Sequence, residues 1–96
     1  MMIRLMNDYT VEWPLWGEDG MLDRSDLAVD PILTERLELW ASLFNHYFDP
    51  DSGWPARELA QFHRQLGEQL ARELENSLGE GNVQLQYWET SVRGKD

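Results

Sequence analysis

The spacing of hydrophobic and polar residues changes character several times along this chain. At the start, M-I-R-L-M-N-D alternates: Ile3 and Leu5 share one face, and Arg4 lies on the other beside Met2 and Met6. That period of two predicts a strand over residues 2–8. From 9 to 30 neither the strand nor the helix period holds. This stretch contains Trp13, Pro14, Trp16, Gly17 and Gly20 among many acids, so an irregular segment is expected. A loop of that length is uncommon in a compact domain unless it is functional or packs by its own side chains.

A helical period then takes over. Asp30 fits an N-cap and Pro31 the first helical position, where a missing N–H costs nothing. Leu33, Leu37, Trp40, Phe44 and Tyr47 form the stripe, widened by Ile32, Leu39 and Leu43. The helix should stop near Phe48, because Asp49 precedes Pro50 and is pushed away from helical dihedrals. After the tight connection D-P-D-S-G-W, a second helix is expected from Pro55, with Leu59, Phe62, Leu66, Leu70, Leu74 and Leu78 as its stripe. Gly67 sits inside it at a cost of about 1 kcal/mol relative to Ala. With Ala71 one turn on, it leaves a shallow groove for a close neighbour, either Trp40 or the tryptophan-bearing loop. Gly79 and Gly81 stop this helix. Finally N-V-Q-L-Q-Y-W alternates, with Val83, Leu85 and Tyr87 on one face and Gln84, Gln86 and Trp88 on the other, which predicts a half-buried strand.

These elements predict an α+β domain over residues 1–96 in the order β-loop-α-α-β. A helical hairpin packs on a two-stranded sheet formed by the N- and C-terminal strands. The acidic aromatic loop 9–30 wraps one end, and the polar tail 89–96 is expected to fray. The short turn after the second helix makes the last strand antiparallel to it, while the direction of the first strand stays open.

Composition narrows the class. Five Trp, three Tyr and three Phe give a 96-residue chain ample surface for a core and disfavour disorder. The absence of cysteine removes disulfides, thiolate metal sites and Cys nucleophiles, and leads us to expect a cytoplasmic protein. No apolar run approaches the ~20 residues of a membrane span. The polar residues Asn7 and Asp8 soon after Arg4 argue against a signal peptide. The net charge is −10, from 18 acids against 8 bases. Such a field repels phosphate and anionic membranes and attracts a basic protein. It is concentrated between residues 8 and 30, where seven acids face only Arg24.

W-P-L-W-G after an initial strand, L-T-E-R-L-E-L-W, D-S-G-W-P before a second helix, G-E-Q-L-A-R-E-L-E and a final V-Q-L-Q-Y resemble a family of small acidic bacterial proteins of unassigned function. The resemblance spans most of residues 2–88. It rests on aromatic and turn residues, so it implies a self-contained domain and brings no activity with it.

Candidate chemistry is sparse. His46, Asp49 and Asp51 fall within six residues, and D-P-D-S-G opens like a calcium loop. The likeness ends where Gly53 and Ala60 replace required oxygen ligands, so no metal site is assigned. His63 lies near the edge of the second helix's stripe and reads as a packed histidine. None of Ser25, Ser42, Ser52, Ser77 and Ser91 sits in a nucleophile motif, and G-E-G-N-V closes a helix rather than opening one around a phosphate. No catalytic residue and no cofactor are assigned, and the chain reads as a non-enzyme.

Trp13 and Trp16 are three apart with Pro14 between them, so alternation cannot send both into one core. Either ring taken singly is expected to lie over the helices as a lid rather than to stand exposed as an interface anchor, with Trp13 largely buried; Trp13 in and Trp16 partly out is compatible with both readings. The function expected is a non-catalytic protein-binding module. It would engage another, basic protein through Trp16, Glu12, Glu18, Asp19 and Asp23, and possess no nucleic-acid or membrane partner. Two alternatives remain: a homodimer assembled through the small sheet, and an acidic mimic of nucleic acid.

Overall fold

The computed structural model describes residues 2–93. Strand β1 (Ile3–Leu5) buries Ile3 and Leu5 and turns Arg4 outward, as its alternation requires. It pairs in parallel with the last strand, β4 (Val83–Leu85), in the register Ile3↔Val83 and Leu5↔Leu85. The pairing of the two terminal strands is therefore present, and its direction is parallel.

The sheet is larger than the sequence suggests. The loop contributes β2 (Leu15–Gly17) and β3 (Gly20–Met21), which form a hairpin and extend the sheet to the order β3-β2-β1-β4. The expected two-stranded sheet in a β-loop-α-α-β order is thus corrected to a four-stranded mixed sheet in the order βββααβ. Segments of three and two residues contain barely one alternation, and Pro14, Gly17 and Gly20 around them read as loop.

Helix α1 (Pro31–Tyr47) starts where expected, with the Asp30 carboxylate accepting from the Ile32 N–H at 2.8 Å. Helix α2 spans Arg57–Leu78, two residues later than Pro55. The hairpin's inner face joins the sheet in one core: Ile3, Leu5, Trp13 and Leu15 meet Leu33, Leu37, Trp40, Leu70 and Leu74. Trp40 is fully buried and lies over Gly67, where an added Cβ would come within 2.8 Å of its ring. The small residue in α2 therefore exists to admit that ring.

Seated there, Trp40 sets the rotation of α2. The helix buries His63, Gly67, Leu70, Ala71 and Leu74, and leaves Phe62 54% exposed. The expected stripe through Leu59, Phe62 and Leu66 is displaced by about one residue.

A second cluster of Phe44, Phe48 and Trp54 closes the far end of the hairpin. It also holds the segment expected to fray. Glu89 is fully buried, the Trp54 N–H donates to the Ser91 carbonyl at 2.8 Å, and the Arg93 N–H donates to the Trp54 carbonyl at 2.7 Å. Residues 89–93 are therefore docked rather than frayed, and the remainder of that tail, 94–96, lies outside the described residues.

Candidate functional site

Directly opposed residues in a sheet point to the same side. The registers Met21↔Trp16, Trp16↔Arg4 and Arg4↔Gln84 therefore draw one row across all four strands, on the face opposite the one that packs on the helices among the described residues. Met2 and Met6 extend it along β1 by alternation. Trp16 is half-buried at the middle of this row, and its indole N–H donates to the Met6 carbonyl at 2.8 Å. Arg4 reaches the Gly17 carbonyl at 3.3 Å. A large ring held by one hydrogen bond, with flexible Met side chains beside it, gives a surface with a fixed centre and an adaptable rim.

Carboxylates stand at one end of this face. Glu18 and Asp19 form the exposed turn between β2 and β3 and share a recess with Asp26. Asp23 is exposed in the following 3-10 turn, where its N–H donates to the Asp26 carboxylate at 2.7 Å. Glu12 lies elsewhere. It lines an open groove of about 530 Å³ with Thr10, Arg24, Glu38, Ser42, Asn45 and His46. The five residues singled out from the sequence are thus distributed among the sheet face, the hairpin tip, the adjoining turn and the groove. Arg4 and Met21 belong beside Trp16 and escaped notice as partners. Only the pairing of β2 with both neighbours brings them together.

Trp13 is on the other side of this segment, 6% exposed and in the core. Arg24, the lone base of residues 8–30, places its guanidinium 5.4 Å from the Trp13 ring centre and binds Glu38 on α1 at 2.5 Å. The loop is thereby fastened to the helices, with Trp13 inward and Trp16 outward.

The two histidines are otherwise engaged. His63 is fully buried, and its Nε2 lies 3.0 Å from the Trp40 carbonyl. A carbonyl only accepts, so Nε2 carries the proton and Nδ1 accepts from the Tyr87 hydroxyl at 2.8 Å. Burial holds the His63 pKa down at about 4, so the ring is neutral. The buried Glu89 carboxylate accepts from Asn7 Nδ2 and from the Trp88 N–H, each at 3.0 Å, yet burial still raises its pKa. Burial likewise pushes the Tyr87 hydroxyl up. In this cluster Asn7 Oδ1 alone finds no partner. On the surface, His46 Nδ1 faces the Ser42 carbonyl at 3.3 Å. The Asp49 carboxylate accepts from the N–H groups of Asp51 and Ser52, which lowers its pKa and makes D-P-D-S a side-chain-capped turn.

The geometry thus sets an aromatic sheet face, with acids at one end of it, apart from a core in which His63 is engaged. The chain belongs to the Serratia CdiI immunity protein-like family, whose profile matches residues 1–90. The family is bacterial, as the sequence resemblance implied, but it is not one of unassigned function: its description as immunity protein-like corrects that part of the expectation. No curated protein shows significant similarity to the chain.

Proposed function

We propose that this protein confers immunity by binding a partner toxin without chemistry, docking the outer sheet face and hairpin tip against a basic surface of that toxin. One observation carries the reading: Trp16 is fixed in the Met21–Trp16–Arg4–Gln84 row on the face opposite the helices, with exposed Glu18 and Asp19 at its end. Membership of an immunity protein-like family supports binding of a partner protein. Trp is the residue type most enriched at binding hot spots, and surrounding carboxylates speed encounter with a basic partner. In this reading Glu12 and Asp23 contribute to the attracting field, and Trp16 contributes the buried anchor.

The test is co-expression with candidate toxins from the same bacterium. Wild-type protein should restore growth. Trp16→Ala should weaken binding by ~2 kcal/mol or more, and Glu18→Lys with Asp19→Lys should slow association. Full protection by both variants would discard this face as the docking surface.

A further inference from the structure

The rotation that seats Trp40 over Gly67 leaves apolar side chains on the far side of the helical hairpin. Leu39 and Tyr47 of α1 are 51% and 50% exposed, Phe62 of α2 is 54% exposed, and Leu43 and Leu66 are half-buried. Positions 39, 43 and 47 recur on the side of α1 that carries Arg36, and positions 62 and 66 on the side of α2 that carries Glu73. Arg36 binds Glu73 at 2.5 Å, which shows that these two sides meet at the seam between the helices. Leu39, Leu43, Tyr47, Phe62 and Leu66 therefore form one strip along that seam, on the face turned away from the sheet.

We propose that this strip is a homodimer interface, on which a second copy of the chain packs its own strip about a two-fold axis. The size is adequate. The strip presents on the order of 400 Å² of apolar surface, where exposed patches begin to mark interaction sites. Two such faces with their polar rims approach the ~1,200 Å² at which stable interfaces begin.

Charge selects the occupant. The two helices carry six carboxylates against four arginines, and Ser42, His46, Gln65 and Gln69 flank the strip. Residues 8–30, by contrast, hold seven acids against Arg24. A basic partner is drawn to that segment and not to the seam. A second copy, itself at −10, meets less repulsion through the helices, at net −2, than through residues 8–30, at net −6. Both Trp16 faces stay free, so the dimer is independent of the partner reading above. It differs from the sheet-mediated dimer that the sequence suggested.

Sedimentation equilibrium of the full chain from micromolar to several hundred micromolar tests this. The mass should rise to twice the 11.3 kDa of one chain. Phe62→Glu and, separately, Leu39→Glu should each weaken the dimer by ~10-fold or more, since both side chains would be central anchors. Both wild-type side chains are about half exposed, so far-UV circular dichroism should stay unchanged, and melting temperature should match wild type at concentrations where both chains are monomeric and fall below it where wild type is dimeric. Gln84→Glu on the sheet should leave association intact. A wild-type chain that stays at single mass overturns the proposal, including the case in which Phe62→Glu instead loses protection against the toxin. A dimer that survives both seam substitutions, or that only Gln84→Glu disrupts, also overturns it.

Discussion

Trp40 and His63 close each other's hydrogen bonds across the helical hairpin. The Trp40 indole N–H donates to the His63 carbonyl at 2.8 Å, the His63 ring donates to the Trp40 carbonyl, and the two rings stack 4.8 Å apart. Trp40→Ala should therefore cost ~3–5 kcal/mol, read as a shifted denaturation midpoint. Gly67→Ala is the sharper test. In an ordinary helix it stabilises by about 1 kcal/mol. Here the new Cβ would lie 2.8 Å from the Trp40 ring, and overpacking of that kind costs ~1–3 kcal/mol. A stabilised Gly67→Ala would show that the ring is not seated against that backbone. The same pair predicts an acid response. His63 has a folded pKa of about 4, below its ordinary 6.5. The unfolded chain thus takes up a proton that the folded chain refuses, and stability is lost as pH falls from about 6.5 through 4, by ~1.4 kcal/mol per unit from this group. Glu89, with its raised pKa, works in the opposite sense: its contribution is lost as pH rises through the carboxylate range. Comparison with His63→Gln isolates the histidine. The stability advantage of wild type over this variant should shrink by ~3 kcal/mol between pH 7 and pH 4. An advantage independent of pH would mean that the ring is not buried neutral.

At the scale of elements, what the sequence disclosed follows from how long each pattern runs. Helices α1 and α2, of 17 and 22 residues, repeat their apolar spacing for several turns, so both were legible, as was the Asp30–Pro31 start. The phase of α2 was not. His63 is polar by type and falls near the edge of the stripe the sequence shows, yet its partners Tyr87 and Trp40 satisfy it at the centre of the core. The hairpin β2–β3 is too short to show a period, so the sequence alone does not show which residues surround Trp16. The burial of Trp13 was legible, whereas the sequence left Trp16 open between lid and anchor; the structure turns it outward because Leu15 and Gly17 on either side turn inward. The docked tail was invisible for a different reason: its partner lies far back in the chain. Gly53 has a φ of +84°, and a Cβ there would fall 2.2 Å from the Ser91 carbonyl oxygen. Gly53→Ala should thus strain the backbone and push residues 89–93 off Trp54, at ~1–3 kcal/mol. Hydrogen exchange at the Trp54 and Arg93 amides should quicken selectively, because both N–H groups bond across this contact. Unchanged protection there would contradict the docking of the tail.

Over the whole molecule, charge and shape divide the work of recognition. The acids are concentrated in a segment that the core holds in place through Trp13 and the Arg24–Glu38 pair, so the field has a fixed direction. A fixed field accelerates encounter with a basic partner, whereas the lifetime of the complex depends on close packing once water is expelled. For the proposed toxin complex these contributions should separate kinetically. Raising salt from low to physiological strength should lower the association rate by ~10-fold or more while changing dissociation little. Glu18→Lys with Asp19→Lys should reproduce the salt effect at low salt, because both carboxylates are exposed at the hairpin tip. Trp16→Ala should do the reverse, leaving association nearly intact and speeding dissociation, since it removes the ring that the Met6 carbonyl holds in position. Trp13→Phe supplies the control. That ring faces the core, so the substitution should lower the melting temperature and leave both rate constants near wild type under conditions where the fold persists. Stopped-flow measurement with the purified toxin domain reads all four cases. If Trp13→Phe altered dissociation and Trp16→Ala did not, the roles assigned to the two rings of W-P-L-W would have to be exchanged.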